Sequence, residues 1–141
     1  MKLSFLFLIL TVLNVFVLGQ DKAKYKIGKE YCKDNKCIVW AYVGSESYNE
    51  SNMQMLAEEL AIKYKDKDVV NFRVFDNQEI IQAYKEGKRE PSNILSDSRA
   101  YFIHNSGCGD ILFYKSEKDK IKLVKISWKN TKSCNTPFTV F

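Results

Sequence analysis

The side chains with most chemical potential are few, four cysteines and one histidine in 141 residues. Four cysteines allow three pairings, and the spacing favours one of them. Cys32 and Cys37 flank Lys33-Asp34-Asn35-Lys36, a turn-forming quartet, and a hairpin around it brings their Cα atoms into disulfide range. Cys108 then pairs with Cys134. A zinc site built from all four would normally show paired knuckles such as C-x2-C, and Cys108 and Cys134 stand alone. His104 precedes Cys108 by four residues, a spacing that invites a Cys/His nucleophile. The plainer account is a histidine at the end of an apolar strand, followed by a structural cysteine between Gly107 and Gly109.

Other catalytic sets fare no better. A Ser-His-Asp triad would have to use His104, and no serine sits in a G-x-S-x-G elbow. Neither a G-x-x-x-x-G-K-[ST] loop nor a G-x-G-x-x-G turn is present, so no phosphate cradle marks a nucleotide cofactor. Glu58-Glu59 and the Glu46/Glu50 pair read as solvated carboxylates. Lysine is the residue with a pattern. Lys115, Lys118, Lys120, Lys122, Lys125, Lys129 and Lys132 crowd one stretch, offset only by Glu117 and Asp119. Such a strip could hold a polyanion or anionic lipid heads. It could equally keep exposed strands from pairing with other chains, and the absence of arginine, the better fork for phosphate, weighs toward that role. Asn49-Glu50-Ser51 is an N-glycosylation sequon, relevant in a eukaryotic secretory pathway if the helix start is exposed.

The elements that must position these residues can be read from periodicity. Cys37 to Val43 is a continuous apolar run ended by Gly44, the signature of a buried strand. Ser51 with Gln54 forms a capping box, and Met53, Leu56, Ala57, Leu60, Ala61 and Tyr64 then fall on one helical stripe. Val69 to Phe75 is a second strand, and Asp76 with Glu79 opens a short helix carrying Ile80, Ile81 and Tyr84, closed near Gly87. The first two strands are therefore expected to be parallel, joined by the crossover helix. After a polar loop from Lys88 to Ser98 containing Pro91, strands at Ala100–His104, Ile111–Lys115 and Lys120–Trp128 should form an antiparallel meander.

This β-α-β-α-β-β order, with Val39-Trp40-Ala41 in the strand before the first helix, resembles a thioredoxin-type scaffold over roughly residues 37–115. The resemblance implies a fold and not an activity. Ser45-Glu46-Ser47-Tyr48 stands where that family carries its Cys-x-x-Cys pair, and Ser96-Asp97-Ser98 precedes Arg99 where it keeps a cis-proline. In place of a C-terminal helix the chain has the Lys120–Trp128 strand and the tail Cys134-Asn135-Thr136-Pro137-Phe138.

Residues 1–19 fit a secretory signal: Met1-Lys2 is a short basic start, Leu3 to Gly19 is almost wholly apolar, and Val17 and Gly19 suit the −3 and −1 positions of a cleavage site. An uncleaved anchor is the rival, but the run lies at the lower edge of spanning length and holds Asn14 near its centre. Removal of Lys2 lowers the formal charge from +5 to +4. Residues 20–36 read as a lysine-rich arm and turn, and residues 37–141 as a single α/β (α+β) domain with a mixed sheet of about five strands in β-α-β-α-β-β-β order. The expectation is a secreted or periplasmic, disulfide-stapled binding protein with no metal or cofactor, no membrane span after cleavage and no specific nucleic acid. Its partner would be an extracellular protein or a polyanionic surface. An enzyme with a degenerate thioredoxin-like site or a Cys108/His104 pair is the alternative.

Overall fold

A computed structural model of the chain describes residues 22–134, apart from 117, 119 and 130. The leader read at 1–19, the acidic offsets Glu117 and Asp119, and the tail beyond Cys134 lie outside the described residues.

Six strands form one sheet in which each strand pairs with its neighbour in the chain: β1 (Lys26–Lys33), β2 (Lys36–Tyr42), β3 (Val69–Phe75), β4 (Ala100–Asn105), β5 (Gly109–Lys115) and β6 (Ile121–Lys125). Only β2 and β3 are parallel, joined by helix α1 (Glu50–Lys63), and every other pair is antiparallel. Helix α2 (Gln78–Lys85) and the single turn α3 (Ile94–Asp97) fill the β3–β4 connection. The mixed α+β architecture and the final meander are as expected. The thioredoxin-type arrangement is not confirmed, and the sheet has six strands where about five were expected. Among the described residues no helix is long and apolar enough to cross a membrane.

The additional strand comes from the lysine-rich segment read as an arm. Residues 26–33 lack apolar alternation because β1 is an edge strand, mostly exposed, and its order comes from pairing with β2. Asp34 and Asn35 both adopt positive φ, 49° and 62°, which gives the tight type I′ turn that a two-residue hairpin requires. Cys32 and Cys37 face one another across that hairpin with Cα atoms 4.2 Å apart, and their sulfurs are bonded.

One sheet face carries the main core. Val39, Ala41, Val70, Phe72, Val74, Phe102 and Leu112 pack against Met53, Leu56, Ala57 and Leu60 of α1, which confirms the helical stripe. Tyr25 and Tyr64 flank Phe72 with ring centroids 6.0 and 6.5 Å away, and their hydroxyls donate to Glu59 and Glu30 at 2.9 and 2.8 Å. Glu59 is thus no freely solvated carboxylate, and the exposed Glu58 accepts from the Gln54 side-chain amide. Both helices open earlier or later than their capping boxes suggest. Asn49 caps α1 by accepting from the Asn52 amide, and Asn77 caps α2 by accepting from that of Glu79. A short asparagine side chain directly before the first helical residue outcompetes the Ser51 and Asp76 alternatives.

The opposite face is covered in two separate places. Tyr84 of α2 meets Trp40 and Phe75 edge-on or tilted at 5.7 and 6.2 Å, and Ile81 closes on Gly28 at a β1 bulge. At the other side, Trp128 packs on Tyr101, Ile103, Ile111 and Phe113, and its indole N–H donates to the Cys134 carbonyl at 2.9 Å. Gly109 makes this return possible. It sits at φ +104°, and a Cβ there would fall on the Ser127 carbonyl.

Candidate functional site

The second disulfide, Cys108–Cys134, ties the segment after β6 to the β4–β5 turn, so the pairing inferred from spacing is the pairing observed. No cysteine is left free. His104 does not face a thiol. Its Nδ1 lies 2.7 Å from Asp110 Oδ1, and its Nε2 donates to the Lys67 carbonyl at 2.7 Å. The Ser127 hydroxyl donates to the other Asp110 oxygen at 3.0 Å and accepts from the Asp110 amide at 3.0 Å. Histidine, aspartate and serine are therefore close, but in an order unlike a hydrolase triad, because the carboxylate stands between the other two. Both ring nitrogens are occupied, and His104 and Asp110 are buried while Ser127 is exposed. The cluster joins the α1–β3 loop, β4, β5 and the chain after β6.

The seven lysines do not form one strip. Lys115 and Lys125 lie on the face that carries Trp128, and Lys115 Nζ donates to the Ser96 carbonyl at 3.1 Å. Lys122 points to the α1 side and pairs with Glu50 at 2.8 Å, which raises the lysine pKa. Lys129 donates to the Gly107 carbonyl at 3.1 Å beside the second disulfide, and Lys132 lies in the 3-10 turn that ends at Cys134. Alternation along β6 and the return after it disperse what looks continuous in the sequence.

Lys118, Lys120 and Lys122 do come together. With Tyr48, Asn49, Glu50, Tyr114 and Ser116 they line a cleft of about 340 Å³ between the start of α1 and the β5–β6 connection. The cleft wall is aromatic: the Tyr48 and Tyr114 rings meet edge to face at 6.4 Å. Tyr48 donates its hydroxyl to the Arg99 carbonyl at 2.5 Å, and the Arg99 guanidinium lies 5.3 Å from the Tyr48 ring centre and 3.5 Å from Asp76. Burial raises the pKa of both phenols, that of Tyr48 strongly, so each stays neutral through the physiological range. Among the described residues neither Lys118 nor Lys120 has an ion-pair partner, whereas Lys122 has Glu50. Such a cleft can neutralise an acidic group and pack its apolar part against tyrosine. Tyr48, Tyr114 and Glu50 were missed from the sequence because they belong to three different elements. The only local hint was an aromatic residue directly before a helix cap.

Two further hollows are shallower in chemistry. One of about 400 Å³ lies between α2 and the β1–β2 strands, lined by Gln78, Gln82 and Lys85, and one of about 380 Å³ lies beside Lys24, Ser47 and Asn52. No protein-family model, curated protein or solved structure matches the chain.

Proposed function

We propose that the protein is an exported, disulfide-stapled binding protein that acts without catalysis and takes an acidic ligand at the cleft between α1 and the β5–β6 connection. The observation that carries this is the convergence of Lys118 and Lys120, unpaired among the described residues, on a wall made by Tyr48 and Tyr114. Export rests on the apolar leader at 1–19 together with two disulfides, which suit an oxidising compartment. The ligand class is a polyanion, such as a sulfated polysaccharide or an anionic surface, whose charges the lysines neutralise by displacing counterions.

Heparin affinity measured across a salt series tests the reading. The wild type should bind more weakly as salt rises, and the Lys118→Gln/Lys120→Gln pair should lower the salt slope by about two, one unit per lost contact. Lys129→Gln/Lys132→Gln, at the other end of the strand, should leave the slope unchanged. Equal losses from both pairs, or heparin binding untouched by the first, would remove the cleft from the function.

A further inference from the structure

The face opposite α1 contains a second, independent feature. Between the part covered by α2 and the part covered by Trp128, a strip of sheet is open. Ile38 is 48% exposed there and its cross-strand neighbour Tyr31 57%. One cross-strand row runs Lys29, Trp40, Arg73, Tyr101, Phe113, Leu123. Cations and rings alternate in its first four places. Lys29 Nζ sits 4.3 Å from the Trp40 ring centre, and the Arg73 guanidinium sits 4.3 Å from that of Tyr101.

Two donors in this row are unsatisfied. Trp40 Nε1 and Arg73 Nη1, on adjacent strands in register, are buried and have no hydrogen-bond partner. Asn71, on the same strand and face as Arg73, accepts from the Tyr101 hydroxyl at 2.6 Å and from neither orphan donor. Neighbouring orphan donors are rare in folded proteins and call for an explanation. Lys26, Lys29, Lys33, Lys36, Arg73 and Lys125 lie on this face, and none of the strand residues that share it is Asp or Glu; Glu79 of α2 lines the hollow beside Lys26 and Tyr42 and bonds to neither donor. Burial also disfavours the charge of Arg73, as its lowered pKa records. Trp, Tyr and Arg grouped in this way are the residue types that dominate binding hot spots.

We infer that this open strip is a docking site for an acidic peptide segment of a partner protein, with Arg73 and the Trp40 indole N–H receiving a carboxylate and Ile38 and Tyr31 receiving its apolar neighbours. Lys29 lies over the indole and is exposed, so it can swing aside as the carboxylate arrives and then add its own charge. A peptide fits better than the alternatives. A sulfated polysaccharide has nothing to place on Ile38. A nucleic acid needs open ring faces along its path, yet Tyr101 is buried beneath Arg73. The site shares no residue with the lysine cleft and does not depend on it.

The test uses the whole exported protein and an end-capped peptide of alternating valine and glutamate, followed by tryptophan fluorescence. The glutamate peptide should bind and shift the emission, while its glutamine counterpart should not. Arg73→Gln should weaken binding about 10-fold or more, as expected when one partner of a desolvated charge pair is removed. Lys29→Gln, an exposed change that leaves the sheet intact, should weaken it by a smaller factor, which keeps the test valid if Arg73→Gln unfolds. Lys118→Gln/Lys120→Gln should bind the peptide as the wild type does. Undiminished binding in folded Arg73→Gln, no loss in Lys29→Gln, or displacement of the peptide by heparin or a single-stranded oligonucleotide would overturn the proposal.

Discussion

Removing the disulfides one at a time should separate their contributions. Cys32–Cys37 closes a ring of sequence separation 5 and Cys108–Cys134 one of 26. The loop-entropy relation gives ~2 kcal/mol for the short ring and ~3.5 kcal/mol for the long one. Native context widens the gap. The short ring spans a hairpin already specified by a type I′ turn and a continuous ladder, whereas the long one anchors the return segment that brings Trp128 onto Tyr101, Ile103, Ile111 and Phe113. Alanine pairs are the right variants, since serine would place a hydroxyl at Cys37, which is buried in the main core. In urea, with a slope of about 1.5 kcal/mol/M, Cys32→Ala/Cys37→Ala should lower the midpoint by ~1 M and Cys108→Ala/Cys134→Ala by ~2 M or more. Tryptophan emission and far-ultraviolet circular dichroism should report the same midpoints. Equal shifts, or a larger one from the hairpin pair, would refute the view that the long ring holds the second face together.

Two further outcomes test the packing and its polar edge. Leu60→Ala, at a fully buried position on the sheet-facing side of α1, should cost ~2–5 kcal/mol, whereas Glu59→Ala, which loses the Tyr25 hydrogen bond, should cost ~1 kcal/mol in chemical denaturation. The domain should also weaken in alkali. Burial and the Glu59 bond raise the Tyr25 pKa from 10.0 to about 12, and burial pushes up those of Tyr64 and Tyr48. An unfolded phenol ionises near pH 10 while the folded one keeps its proton. The stability from each is thus complete below pH 10 and is lost as pH climbs through the folded value, by at most ~1.4 kcal/mol per pH unit per tyrosine. Urea midpoints between pH 9 and 12 should fall, and Tyr25→Phe with Tyr64→Phe should flatten the fall; an unchanged slope would mean that these phenols ionise freely in the folded state.

Much of the fold was legible because its signals are local. The stripe from Met53 to Tyr64, the apolar run at 37–43 and the turn quartet between Cys32 and Cys37 each carry their own periodicity or chemistry. What was not legible depends on partners distant in sequence. Strand β1 has too little apolar character to declare itself and is defined by β2. The dispersal of the lysines follows from strand alternation and from the return of the chain after β6, a path that Gly109 permits and no periodicity announces. His104 looked like a catalytic candidate only because spacing to Cys108 is visible in one dimension, while Asp110, Ser127 and the Lys67 carbonyl assemble around it in three.

These placements bear on why one sheet face is left partly open. A domain with α1 on one side and only the short α2 on the other would leave β4 and β5 bare. The chain solves this with the segment after β6, held by Cys108–Cys134 and by the Ser127–Asp110–His104 cluster. Both devices act at the disulfide end of the sheet, so neither needs the central row to be covered. Stability is thereby concentrated where the chain returns, and the row holding Trp40 and Arg73 keeps donors that the fold itself does not satisfy. An all-apolar central row would have closed the second face at less cost in desolvated polar groups. Retaining an arginine there, without a carboxylate on any neighbouring strand position, makes sense if the missing acceptor comes from another molecule.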